Sequence, residues 1–265
     1  MRILLLSDIH ANAEALEAVL RDAGCVDALW CAGDLVDYGT DPHQVVSLCR
    51  ERGIACVSGN HDRHLLSVRA SDEVTAFRGT RNWKWVHDNC ERITPQDAAY
   101  LQDLPLHLSL TADGIAYLIQ HQMREGPLAY AMPESVQDFD ACWAQWYDGP
   151  PSAGMERRMI FGHTHRRCLH QLAEDRLWLN PGSVSYRRPD DADKSAHYMI
   201  IDCGRVEFHA VSYDRTSCLK RAMAYVESGA MMETELQDAL FFFGDAHTTR
   251  DPLPRALGEK GSTLK

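Results

Sequence analysis

Short apolar runs alternate with polar clusters along this chain, and the spacing of the apolar positions sorts the segments into strands and helices. Ile3-Leu4-Leu5-Leu6, Ile54-Ala55-Cys56-Val57, Ala116-Tyr117-Leu118-Ile119 and Met159-Ile160-Phe161 are brief unbroken runs that read as strands. Between the first two, Leu16, Val19, Leu20 and Ala23 fall on one helical face. Val45, Val46, Leu48 and Cys49 do the same after Pro42, a residue suited to a helix start. This order predicts parallel strands joined by crossover helices through the first sixty residues. Residues 64–104 read as helical, with Trp83, Trp85 and Val86 on a buried stripe that ends near Leu104-Pro105. The second half is richer in strands: Leu177 to Leu179, His197 to Ile201, and Arg205 to Val211 after a turn at Asp202-Cys203-Gly204. A helix over 216–227 and another carrying Leu236, Leu240 and Phe241 precede a polar tail from Asp245, expected to be flexible. No internal repeat interrupts this order. The chain therefore reads as a single domain over 1–244 with a tail at 245–265 and C-terminal helices within 216–243.

The polar residues that follow the strands carry the chemistry. Asp8-x-His10, Gly33-Asp34, Gly59-Asn60-His61-Asp62, His121 and Gly162-His163-Thr164-His165 each come directly after an apolar run. Any one of these is a common turn or cap, but five in register point to a shared crevice at the strand ends. Seven oxygen and imidazole side chains there, Asp8, His10, Asp34, Asn60, His121, His163 and His165, can hold two divalent cations side by side. Such a pair suits in-line attack on phosphorus. Asp34 is the expected bridge, because Gly33 before it lets the backbone come close. Imidazoles with Asp and Asn oxygens suit Mn²⁺, Fe²⁺, Ni²⁺, Co²⁺ or Zn²⁺ better than Ca²⁺ or Mg²⁺, with Mn²⁺ favoured.

Composition narrows the setting. At 265 residues and 45% hydrophobic content the chain can bury a sizeable core. A net charge of -11 argues against nucleic acid or an anionic membrane as the main partner. Arg166-Arg167 and Arg187-Arg188 are the clustered cations considered for a basic groove and read as solvated charge. Nine cysteines without a C-x-x-C pair read as small buried hydrophobes in a reducing compartment. The short run before Ser7 is no signal segment, and no stretch is long enough to span a membrane, so a cytoplasmic location is expected. The oligomeric state is not legible. The link 122–155, rich in proline and aromatics, stands between two ligand candidates and is a candidate lid.

In these motifs the chain resembles the calcineurin-like metallophosphoesterase superfamily, whose pattern is D-x-H, G-D-x-x-D, G-N-H-D/E, a later His, and G-H-x-H. Here they stand as Asp8-His10, Gly33-Asp34-Asp37, Gly59-Asn60-His61-Asp62, His121 and Gly162-His163-Thr164-His165, and the resemblance covers residues 1 to about 220. The compact bacterial and archaeal phosphodiesterase-like branch is most similar, through Tyr38-Gly39-Thr40-Asp41-Pro42. The resemblance implies an α/β fold, a four-layer α/β/β/α sandwich with two mixed sheets. It also implies one metal on Asp8, His10, Asp34 and His165, and another on Asp34, Asn60, His121 and His163. His61, outside the ligand set, would give a proton to the leaving group, and Asp62 is the candidate to orient its ring.

Two departures bear on substrate. The superfamily's protein phosphatases carry Arg where this chain has Tyr38, and related small enzymes follow the later His with Gly, where this chain has Gln122. Tyr38, Gln122 and Arg124 are thus the candidate substrate contacts. The expected activity is dinuclear, metal-dependent hydrolysis of phosphodiesters or nucleotide-type phosphoesters by a metal-bridging hydroxide, on a small-molecule substrate. The alternatives are a dinucleoside polyphosphate hydrolase, a broad phosphomonoesterase, or a metal-binding scaffold for protein interaction, as in the superfamily's retromer subunit.

Overall fold

Alternate residues of the first strand face different partners, which is why it is apolar from Ile3 to Leu6. In a computed structural model describing residues 1–122, 136–149, 154–185, 188 and 194–244, this strand, β1 (Arg2–Leu6), sends Leu4 and Leu6 toward a layer of helices. Ile3 and Leu5 point into the space between two sheets. Burial on both faces removes the polar half of the usual strand alternation.

The first sheet also contains β2 (Ala28–Cys31) and β3 (Ala55–Cys56), both parallel to β1. Its other edge is β9 (Ala196–Asp202) and β10 (Arg205–Val211), antiparallel, giving the order β10-β9-β1-β2-β3. Helices α1 (Ala13–Ala23) and α2 (Pro42–Glu51) are the expected crossovers and bury Leu16, Val19, Val45 and Val46 against the outer face. The second sheet runs β4-β5-β6-β8-β7, with β4 (His107–Ala112), β5 (Ile115–Gln120), β6 (Arg157–Ile160), β7 (Arg167–Ala173) and β8 (Arg176–Pro181). Tyr117, Ile119, Ile160 and Leu179 meet Ile3, Leu5, Trp30 and Met199 in the inter-sheet core. On the far side Ala116, Leu118 and Met159 pack under Phe139 and Trp143 of α7 (Val136–Trp146). The layers are helix, sheet, sheet, helix, the α/β/β/α sandwich expected from the motifs.

The region read as helical over 64–104 is four separate helices: α3 (Asn60–Arg69), α4 (Glu73–Phe77), α5 (Trp85–Arg92) and α6 (Pro95–Asp103). Gly79, at φ 71, interrupts the run, and Thr94 caps α6 with Pro95 in its first turn. Trp83 and Trp85 are core residues. They pack with α8 (Thr216–Ser228) and α9 (Glu233–Phe243), whose Ala222, Leu236, Phe241 and Phe243 share the same apolar cluster. Edge strands β4 and β7 have no apolar run to announce them, since β7 alternates exposed and half-covered residues.

Two expectations need correcting. Cys25 and Cys203 are exposed rather than buried, because both lie in turns, while Cys31, Cys49, Cys56, Cys90, Cys142 and Cys218 are buried and all nine thiols are free. Arg188 is not solvated: it is 4% exposed and donates to the carbonyls of Ser183 and Ser195. The 245–265 tail lies outside the described residues. So does most of the 122–155 link apart from α7. No helix among the described residues is long and apolar enough to cross a membrane.

Candidate metal centre

Backbone hydrogen bonding continues past the strand ends and fixes the turns that follow. Asp8 N–H donates to Gly33 O (3.0 Å), Ile9 and His10 N–H to Asp34 O (2.9 and 3.0 Å), and Ala11 N–H to Leu35 O (2.8 Å), so the β1 and β2 turns are laced together. Asp8, His10, Ala11, Asp34, Asp37, Tyr38, His163 and His165 all have φ between 48° and 73°. Left-handed backbone at a non-glycine residue costs about 1–3 kcal/mol and survives where its surroundings over-determine it. Two glycines make the close approach possible. A Cβ on Gly59 would fall on the Asp34 carboxylate, and one on Gly162 would fall on Ser7 Oγ and crowd Asp8.

The turns deliver two neighbouring groups of donors. Asp8, His10 and His165 form one: His165 Nε2 is 3.1 Å from Asp8 Oδ1 and 3.2 Å from His10 Nε2. Asp34, His121 and His163 form the other, with His121 Nε2 at 3.0 Å from Asp34 Oδ2. Asn60, the first residue of α3, presents Oδ1 to His121 Nε2 (2.9 Å) and to His163 Nδ1 (3.0 Å). The Asp34 carboxylate lies between the groups, since Oδ2 is also 3.9 Å from His10 Nε2. All seven residues expected at the strand ends are therefore brought together.

Hydrogen bonding decides what these groups can hold. His10 Nδ1 faces Val36 O at 3.2 Å and His121 Nδ1 faces Ala32 O at 2.7 Å. A carbonyl only accepts, so Nδ1 carries the proton in each neutral ring and Nε2 is a bare lone pair. Those lone pairs point at carboxylate and amide oxygens in a nearly dry site, where His10, Asp8, Asp34 and His121 are 0–2% exposed. A positive charge satisfies such a contact, either a second ring proton on Nε2 or a metal ion in its place. Burial lowers the affinity of His121 for a proton, but Asp34 outweighs it and pushes the ring up to about 9. Burial likewise opposes charge on Asp34, yet His121, His61 and His10 hold its carboxyl well below the usual range. His163 is held below its ordinary value by burial and the adjacent His121. An anionic carboxylate pair with imidazole nitrogens and an amide oxygen is a donor set that fits divalent transition metals.

His61 stands beside the donors and outside them. Its Nδ1 pairs with Asp37 Oδ2 at 2.8 Å, and its ring packs against those of His10 (5.1 Å) and Tyr38 (4.7 Å). The expectation that Asp62 orients this ring is overturned. Asp62 is the third residue of α3 and points back into the turn, where its carboxylate accepts the amides of Gly59 (2.8 Å), Asp34 (3.1 Å), Leu35 (2.8 Å) and Val36 (3.2 Å). Neighbouring helix residues project about 100° apart, so the Asp62 carboxylate faces away from the His61 ring. Burial and the charge of Asp34 push Asp62 up to about 7, against the pull of these amides. Asp37 was the residue to look for, the second Asp of Gly33-Asp34-x-x-Asp37 with the right reach. Burial raises its carboxyl, but the hydrogen bond and charge of His61 and the Tyr38 amide hold it below the usual range. Tyr38 adjoins His61 and His10, Gln122 follows His121 half-buried, and Arg124 lies outside the described residues.

Known proteins resemble this chain over most of its length. The profile of the calcineurin-like phosphoesterase superfamily domain matches residues 1–205. An uncharacterised protein of Methanocaldococcus jannaschii is 30% identical over 231 residues, covering 80% of this chain and 88% of that protein. A symmetrical bis(5'-nucleosyl)-tetraphosphatase of Pectobacterium carotovorum is 27% identical over 228 residues, 62% of this chain and 81% of that enzyme. The crystal structure of a metallophosphoesterase from Sphaerobacter thermophilus superposes with a TM-score of 0.66 at 28% identity, covering 90% of this chain and 98% of the other.

Proposed function

We infer, for a chain that belongs to the calcineurin-like phosphoesterase superfamily and is a phosphoric ester hydrolase, that catalysis runs on two divalent metal ions and prefers phosphodiesters or nucleotide anhydrides. The observation that carries this reading is the pair of donor groups with Asp34 between them, in which His121 turns Nδ1 to a carbonyl and Nε2 to the Asp34 carboxylate. Asp8, His10, Asp34 and His165 would hold one ion, and Asp34, Asn60, His121 and His163 the other. Ions so held would acidify bound water and neutralise charge on the phosphoryl oxygens.

The chain's own residues do the rest. His61, its Nδ1 engaged by Asp37, would pass a proton at Nε2 toward the leaving oxygen. An ionised Asp37 orients the ring and offsets the positive charge it carries as a donor. Asp62 locks the β2 turn to the start of α3 and so places Asp34 and Asn60 together. A diester bears one charge and two organic arms, and the tyrosine ring beside His61 offers contact surface where a protein phosphatase offers a cation. The tetraphosphatase likeness supports a nucleotide anhydride within the same chemistry.

The test has two arms. Protein stripped by a chelator is expected to lose turnover and to regain it with Mn²⁺ or a similar ion, binding up to two per chain by elemental analysis and calorimetry. Saturation at one ion overturns the dinuclear reading. In the second arm, bis-p-nitrophenyl phosphate and diadenosine tetraphosphate should exceed p-nitrophenyl phosphate in kcat/KM, and a clear monoester preference removes the substrate assignment.

A further inference from the structure

The turn that holds Asp37 is an unusual piece of backbone. Asp37 and Tyr38 have φ of 73° and 61°, and Gly39 N–H returns to Asp37 O at 2.8 Å across a single residue. A three-residue turn with positive φ at its centre is the strained form and does not persist without external support. One side chain bonds both ends of the turn. Asn89 of α5, fully buried, accepts from Asp37 N–H at 3.0 Å and donates to Gly39 O at 2.8 Å, gripping the turn at both ends.

The helix that carries Asn89 is in turn held by the C-terminal helices, which the superfamily profile, ending at residue 205, does not include. Glu235 of α9 accepts from the Trp85 backbone N–H at the start of α5 (3.1 Å), and the Trp85 indole donates to Glu235 O (3.0 Å). Tyr225 of α8 bonds Asp88, the residue before Asn89, and Arg92 reaches the same hydroxyl at 3.3 Å. Arg221 of α8 reaches the two residues that follow the turn, donating to Thr40 Oγ1 (2.8 Å) and Asp41 Oδ2 (2.5 Å), and also to Glu14 Oε1 (3.3 Å). Polar contacts thus approach the turn from two sides and converge on α8 and α9.

We propose that α8 and α9 form a brace that holds the Asp37–Gly39 turn through Asn89 and Arg221, and that these two are positioning residues for the Asp37–His61 pair. Neither belongs to the two donor groups. The consequence for catalysis rests on the role given to His61 above; the brace itself rests on backbone geometry. A loosened turn lets the Asp37 carboxylate leave His61 Nδ1, so proton delivery suffers while the donor groups remain assembled.

The experiment compares Asn89→Asp, Arg221→Gln and the conservative Arg221→Lys with the unaltered full-length enzyme. Amide hydrogen exchange over residues 35–41 is read first, then kcat and KM on an alkyl diester and on a nitrophenyl diester, each variant also combined with His61→Ala. Asn89→Asp keeps the acceptor for Asp37 N–H and loses the donor to Gly39 O. The expected result is exchange at least about tenfold faster in the turn for Asn89→Asp and Arg221→Gln, with Arg221→Lys closer to the parent. Metal content should be unchanged, and kcat for the alkyl ester should fall about tenfold or more with a smaller fall for the nitrophenyl ester. Added to His61→Ala, neither change should cost more, because both act through the same ring. Unchanged exchange in both variants overturns the brace. Faster exchange with losses equal on both esters and additive to His61→Ala overturns the positioning role. If His61→Ala is itself indifferent to the leaving group, the His61 reading fails and the brace stands or falls on exchange alone.

Discussion

The strand-end turns and the helical shell of this molecule are built on opposite terms. Among the described residues, eight of the ten non-glycine positions with positive φ lie in the turns after β1, β2 and β6, and none lies between 60 and 103. The turns collect buried carboxylates and imidazoles at near-zero exposure, whereas the shell around α5, α8 and α9 buries Trp83, Trp85 and Phe241–Phe243. The turns hold arrangements that cost stability and are kept for chemistry; the shell supplies the apolar burial that offsets them. Substitutions in the two regions should therefore separate turnover from stability.

The sharpest break is Asp34→Asn. It removes the charge that faces His10 in one donor group and His121 in the other. Turnover should fall by more than the roughly 10²–10⁴ assigned to a single acid–base group. The melting temperature of the metal-free protein should fall only modestly, since the ion pairs with His121 and His10 are lost while the repulsion between Asp34 and Asp62 is relieved. Elemental analysis should show both ions weakened. Retention of one ion at full occupancy would place Asp34 in a single site and break the symmetry of the two groups.

Trp85→Ala is the mirror experiment. The indole is 1% exposed, packs edge-on against Tyr225 at 5.2 Å and donates to Glu235 O. Emptying that volume should cost about 3–5 kcal/mol in chemical denaturation, a larger stability loss than any strand-end substitution. Metal content per folded molecule should persist. Loss of bound metal at equal folded fraction would show that the shell reaches the donors themselves, and the contrast between the regions would not hold.

The same contrast explains what was legible in the chain. Asp8, His10, Asp34, Asn60, His121, His163 and His165 were readable because each follows an apolar run, and a strand end is a local feature. The paired sheets were readable because β1 and β5 are apolar on both faces. Partnerships that cross the fold were not. His61 and Asp37 are 24 residues apart and meet only because the β2 turn and the start of α3 adjoin, whereas the adjacent Asp62 was the nearer candidate on the chain and is turned away by helix geometry. The bonds of Asn89 to Asp37 and Gly39 leave no trace in periodicity, since a buried asparagine on a helix looks like a surface polar residue until its partners are placed. Edge strands β4 and β7 escaped for the reverse reason, having one face in solvent and no run to mark them.

The smallest effect comes from a charge in the shell. Asp97 closes the capping box of α6, accepting from Thr94 N–H (2.8 Å) and Thr94 Oγ1 (2.7 Å), and pairs with His43 at 2.7 Å. Burial raises its carboxyl, but the Thr94 amide and His43 outweigh this and hold it below the usual range. A carboxylate with a depressed folded value contributes stability that is fully present above its unfolded value, near 3.9, and is lost as pH falls through the folded one. Asp97→Asn should thus cost about 1–2 kcal/mol at pH 7, the range of a lost cap, and the difference from the parent should close as the pH is lowered below about 3. Denaturation midpoints across pH 2.5–7 measure it. Turnover per folded molecule should match the parent at neutral pH, because α6 contributes no donor and no contact to His61. A constant gap across the whole pH range would mean that shape, rather than charge, holds this cap, and the shell would then be stabilised by packing alone.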